Sequence, residues 1–162
     1  MPDCVRAWAV GGSVELRNPH STRPWQHVLE PLGGYIRLAA ELCQSPVLHG
    51  EPFNFGPLAQ QNHSVLDLVK EMSIHWSNAR WEDISTTDSN LYESGLLKLN
   101  CDKALHMLNW HAAMSFAKTI KMTAEWYKTF YNAEHTIRDV TVAQICEYEL
   151  IAQTQGLALF AS

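Results

Sequence analysis

No stretch of this chain carries the long Val/Ile-rich run that a parallel strand covered on both faces requires, and this limits the folds open to it. The strand-like runs are short. Ser13 to Arg17 alternates around Val14 and Leu16 before Asn18-Pro19 breaks it, and Phe53-Asn54-Phe55 runs into a Gly56-Pro57 turn. Trp81 to Ile84 and Leu96 to Leu99 are no longer. Four or five such strands, separated by helices, do not build a doubly wound sheet. The pattern predicts a small mixed, helix-rich α/β domain that resembles an accessory domain without its main sheet.

The helical segments have clear start and stop signals. Pro2 to Val10 spaces Cys4 or Val5, Trp8 and Ala9 as a helix and halts at Gly11-Gly12. Pro31 suits the first turn of a second helix, whose apolar face is read as Leu32, Tyr35, Leu38, Ala39 and Leu42 and whose end lies near Gln44-Ser45-Pro46. Ser64-Val65-Leu66-Asp67 is a capping-box pattern launching Leu68, Val69 and Met72. Asn100 is placed to cap a helix through Leu105 and Leu108, which Asn109 ends in a left-handed turn. Further helices are expected from near Ser115, with Phe116, Ile120, Thr123, Tyr127 and Phe130 on one side, and over Thr141 to Thr154. The polar run Ser85 to Asn90 has no hydrophobic anchor and is expected to be a mobile loop.

At 162 residues one domain is the default, without repeats or linkers. With 46% hydrophobic and only 18% charged residues, and six tryptophans, the chain carries more apolar surface than such a fold readily covers. A net charge of -5 excludes a field that holds nucleic acid nonspecifically. Cys4, Cys43, Cys101 and Cys146 form no C-x-x-C pair and read as buried thiols of a reducing compartment. There is no H-E-x-x-H, and His106 and His111 fall on different helical faces, so no metal site is expected. No run approaches the ~18 apolar residues that span a bilayer, so the expectation is a soluble, cytoplasmic protein with no membrane partner.

The segment from Arg17 to Val28 sets two arginines, Arg17 and Arg23, beside a stiff Pro24-Trp25 corner. A guanidinium restrained in this way can grip phosphate oxygens through paired charge-assisted hydrogen bonds. The same residues serve equally as a carbonyl cap and a surface ion pair.

Pro2 to Trp8, Arg17-Asn18-Pro19, the string Arg23-Pro24-Trp25-Gln26-His27-Val28-Leu29-Glu30-Pro31-Leu32, and Phe53 to Pro57 occur in that order. Gly95 to Ala104, Leu108-Asn109-Trp110, Met122 to Tyr127, and Gln144-Ile145 with Tyr148 follow. Together they resemble the CDP-glucose 4,6-dehydratase family, nucleotide-sugar lyases of the extended short-chain dehydrogenase/reductase superfamily. The resemblance covers nearly the whole chain, and the string from Arg23 to Leu32 is its most specific part. It implies an NAD-dependent enzyme that removes water from CDP-glucose, of which residues 1–162 are the C-terminal nucleotide-sugar-binding portion. The N-terminal NAD-binding Rossmann domain is then absent: no G-x-x-G-x-x-G is found, and no tyrosine is followed four residues on by lysine.

The resemblance also implies site residues. Arg23 matches the arginine that binds the nucleotide diphosphate. Val14 matches a small apolar residue packed on the nucleobase, or is an ordinary core valine. Arg17 reaches a phosphate or ribose hydroxyl, or a surface carboxylate. Glu93 and Gly95 match a loop that closes on the nucleotide-sugar, although Leu91-Tyr92 stands where the family has Pro-His. Trp25 reads as core and His27 as a structural histidine. The expected partners are CDP-glucose or a related nucleotide-sugar and the missing Rossmann half; a homodimer of the full-length form stays open. Isolated, the chain is expected to bind no NAD and to be inactive. Two other readings compete: a fragment of another nucleotide-sugar dehydratase or epimerase, and a free-standing, noncatalytic nucleotide-sugar-binding domain.

Overall fold

The computed structural model describes residues 1–85, 95–132 and 136–157. Most of the Ser85 to Asn90 run, and Glu93, lie outside the described residues. Six helices dominate the described residues. α1 (Pro2–Ala9) starts on a proline, which loses nothing at a helix N-terminus, and stops where Gly11 turns to a φ of 74°. β1 (Val14–Leu16) follows, then β2 (Thr22–Arg23), α2 (Leu29–Gln44) and a 3₁₀ turn at Pro46–Leu48. β3 (His63–Ser64) leads directly into α3 (Val65–His75), and β4 (Trp81–Asp83) completes the strands. α4 (Asp102–Leu108), α5 (Phe116–Asn132) and α6 (Ile137–Thr154) finish the described chain.

The strands form two small ladders. β1 and β4 pair in parallel, Val14 opposite Trp81 and Leu16 opposite Asp83, while β2 and β3 are antiparallel. Among the described residues most of a Rossmann sheet is lacking, in agreement with the helix-rich α/β fold read from the sequence.

Three apolar clusters hold the elements together. Trp8, Leu16, Met72 and Ile120 join α1, β1, α3 and α5. Met122 and Ala152 join α5 and α6, and Phe55, Leu108 and Trp110 receive Leu38 and Leu42 of α2. The Ser64–Asp67 capping box forms in both directions, and Asn109 takes the left-handed conformation at a φ of 48°. The N-cap of α4 is Cys101, without a side-chain cap, rather than Asn100; Asn100 lies one residue before it, and its Oδ1 accepts the Asp102 N–H at 2.9 Å.

Four further expectations need correction. α2 begins at Leu29 and buries Glu30, Gly33 and Gly34, whereas Leu32 and Tyr35 are exposed. Gly34 lets the Phe55 ring lie against the helix backbone, so the packed face is a side with little side-chain volume. Phe53–Phe55 is extended but belongs to no ladder among the described residues. Leu96 contributes only a single bridge, to Thr22. Cys43 and Cys146 are exposed rather than buried, because both sit on outward faces of α2 and α6.

Candidate functional site

The loop that leaves β1 is anchored by the start of α3. The carbonyls of Pro19 and Ser21 accept the main-chain N–H groups of Leu66 and Val65, each at 2.9 Å, supplying acceptors that the first turn of a helix otherwise lacks. Pro19 is fully buried and Ser21 nearly so. Arg17, at the exit of β1, is exposed.

The second arginine does not lie in a loop. Arg23 belongs to β2, half-buried, with its Nη1 donating to the Thr22 carbonyl at 2.8 Å. Across one edge of β2 stands His63 of β3, directly opposite Arg23. Across the other edge, the Thr22 N–H donates to the Gly95 carbonyl at 2.9 Å and Leu96 bridges Thr22 in parallel. The structure therefore brings Arg23 and Gly95 onto adjacent segments. It does not add Val14 or Arg17 to that ladder: Val14 is half-buried in β1 beside Trp81 and packs against the first core cluster.

The Pro24-Trp25 corner is tied to the same ladder. Trp25 packs against the first core cluster and donates its indole N–H to the His63 carbonyl at 3.0 Å. Gln26 Nε2 donates to the Phe55 carbonyl at 2.9 Å. His27 is buried, its Nδ1 accepts the Leu29 N–H at 3.3 Å, and burial lowers its pKa, so the neutral imidazole is favoured. This arrangement suits a structural histidine. A half-open, largely apolar cavity of about 330 Å³ lies beside it, walled by Gln26 to Leu29, Trp126 and Tyr127; neither Arg23 nor Gly95 lines it.

Sequence reading missed Glu30. Its carboxylate is 1% exposed and accepts the main-chain N–H of Ala113 at 2.9 Å and of Met114 at 2.7 Å. Burial raises its pKa, against which those two N–H groups and the Tyr148 hydroxyl work. An acidic residue inside the apolar Val28-Leu29-Glu30-Pro31-Leu32 run was the available signal. Glu30 fixes the start of α2, and so the segment that follows Arg23, to the α4–α5 connection.

The groups gathered around β2 are a guanidinium, an imidazole and main-chain polar atoms, chemistry of the kind that can pair with an anion. Gly11-Gly12, Gly34 and Gly56 do not form the phosphate turn that a dinucleotide needs at a helix N-terminus. Gly11-Gly12 closes α1 rather than opening a helix, Gly34 is filled by Phe55, and Gly56 packs on Leu99 and Cys101. Among the described residues no group of His, Cys, Asp and Glu could hold a metal ion, and no helix is long and apolar enough to cross a membrane.

This fold recurs in solved nucleotide-sugar epimerases. UDP-glucose-4-epimerase from Stenotrophomonas maltophila, with bound NAD and formylated UDP-arabinopyranose, superposes with a TM-score of 0.63 at 16% identity, covering 82% of this chain and 40% of that one. UDP-glucuronic acid 4-epimerase from Bacillus cereus, in complex with UDP-glucuronic acid and NAD, gives 0.59 at 12% identity over 79% of this chain and 39% of that one. The chain has the fold of the C-terminal domain of an extended short-chain dehydrogenase/reductase, shared with these epimerases. Within that class it is similar in sequence to CDP-glucose 4,6-dehydratase of Salmonella typhimurium, 36% identical over 135 residues, as the resemblance of its motifs implied. That match covers 83% of this chain and 37% of the relative, so the chain spans little more than a third of the protein it matches. No family model matches.

Proposed function

We propose that this chain is the substrate-binding portion of a CDP-glucose 4,6-dehydratase, which converts CDP-glucose to CDP-4-dehydro-6-deoxyglucose and water. The observation that carries this reading is the 36% identity to such an enzyme across 135 residues. In it, Arg23 grips the diphosphate, with Arg17 on a phosphate or ribose hydroxyl and Val14 against the nucleobase. Gly95 and Glu93 approach from the C-terminal side. NAD is held by a Rossmann half outside this sequence, and residues 1–162 are not catalytically competent alone.

The outer face of α2 supports a missing half. Val28, Leu32, Tyr35 and Ile36 fall at i, i+4, i+7 and i+8, one face of a helix, and are 62%, 44%, 58% and 45% exposed. α2 also packs inward through Gly33, Gly34, Leu38 and Leu42. A helix apolar on both sides suits a position between two layers.

A second reading, a portion of another nucleotide-sugar dehydratase or epimerase, is favoured by the fold shared with two UDP-sugar epimerases. Complementation separates the two. The chain is mixed with the NAD-binding half of the Salmonella typhimurium enzyme and offered CDP-, dTDP-, GDP- and UDP-glucose in competition. Formation of the 4-keto product from CDP-glucose first supports the proposal, and preference for another base supports the alternative.

A further inference from the structure

His63 is opposite Arg23 in the antiparallel β2–β3 ladder. Directly opposed residues leave the same face of such a pair, with Cβ atoms about 5 Å apart. The imidazole is not loose there. It lies flat on the ring of Phe116, centroids 3.8 Å apart and planes at 12°, and Phe116 is buried at the start of α5. The His63 carbonyl accepts the Trp25 indole N–H, so main chain and ring face are both committed.

The ring edge is not. Neither ring nitrogen of His63 makes a hydrogen bond with the described residues. The Ser64 main-chain N–H and hydroxyl both donate to Asp67 Oδ2, at 2.8 Å each, and this carboxylate is close enough to His63 to interact with its charge without a hydrogen bond to the ring. A half-buried imidazole with a fixed plane and an open edge, on the same face as an arginine, is a preorganised hydrogen-bond donor that needs little rotamer ordering on binding. Lone His63 ahead of a capping serine gave no such signal in the sequence.

We propose that His63 is a second anion-binding residue of the site, donating from its ring edge to the diphosphate oxygens that Arg23 grips. This rests on the reading of Arg23 as the diphosphate ligand. The ladder gives the two residues complementary tasks. Arg23 supplies a permanent charge on a long stem, and His63 supplies a short donor whose direction is set by Phe116.

The test uses the full chain, isotopically labelled, titrated by NMR with inorganic pyrophosphate, CDP and cytidine. His63→Phe keeps the stack on Phe116 and removes the ring nitrogens, and His63→Gln restores a side-chain donor. The expected result has three parts: the His63 ring resonances move with pyrophosphate and CDP but not cytidine, His63→Phe binds both anions about tenfold more weakly, and His63→Gln recovers part of the loss. If Arg23→Ala abolishes CDP binding while His63→Phe binds as the parent does and the ring resonances stay fixed, the inference is overturned and the reading of Arg23 stands. If neither anion binds the parent chain, both are overturned.

Discussion

Glu30 and Tyr148, 118 positions apart, meet in the interior, the Tyr148 hydroxyl donating to Glu30 Oε2 at 3.2 Å. With the Ala113 and Met114 N–H groups on the same carboxylate, this contact joins α2, the α4–α5 connection and α6. Glu30→Ala strands two buried main-chain donors and is expected to cost about 3 kcal/mol, whereas Tyr148→Phe is expected to cost about 1 kcal/mol. Urea unfolding of the two variants checks the order; equal losses would contradict it.

The same carboxylate makes stability depend on pH in a defined direction. Its pKa is raised in the fold, first by burial, so the folded state holds the proton more tightly than the unfolded chain. The contribution is fully present below the unfolded value of about 4.3 and is lost as pH rises through the folded value. Glu30→Gln removes this titration but keeps an acceptor for the N–H groups. The difference in unfolding free energy between parent and Glu30→Gln is therefore expected to move in the parent's favour from pH 7 to pH 5. His27, Asp67 and other titrating groups largely cancel in that comparison; movement in the opposite direction would contradict the assignment.

Gly34 has a steric role. A Cβ there would lie 2.3 Å from Phe55 Cδ1. Phe55 is itself buried and set edge-on to Trp110, centroids 4.8 Å apart, so it has little room to yield. Gly34→Ala is expected to destabilise by about 2 kcal/mol, despite alanine's better helix propensity. A thermal melt at or above the parent's would show that Phe55 moves freely.

The exposed α2 stripe carries an expectation about association. Sedimentation of the isolated chain is expected to show self-association at high concentration, reduced in the Leu32→Lys, Ile36→Lys double variant without loss of thermal stability. A monodisperse parent monomer would argue that the face needs no cover.

Much of this was legible in the sequence where the physics is local. The capping box at Ser64, the left-handed Asn109 and the glycine stop after α1 each depend on a few adjacent residues, and each forms. What depends on distant partners was not. The periodicity of α2 marks one apolar face, Leu32 to Leu42, and does not say that the glycine side packs inward; Gly34 against Phe55 decides it. β2 is two residues long and exists because His63 and Gly95 flank it, so sequence alternation cannot reveal it. Glu30 and His63 draw their significance from α5, α6 and neighbouring loops, which no spacing encodes.

If, as proposed, these residues carry the substrate side of a nucleotide-sugar site and not its cofactor side, the isolated chain binds CDP-glucose and not NAD. Calorimetric titration of the isolated chain with NAD and, in parallel, with CDP-glucose tests it most directly. Heat of binding is expected from CDP-glucose, lost in Arg23→Ala, and none from NAD; stoichiometric NAD binding would overturn the assignment.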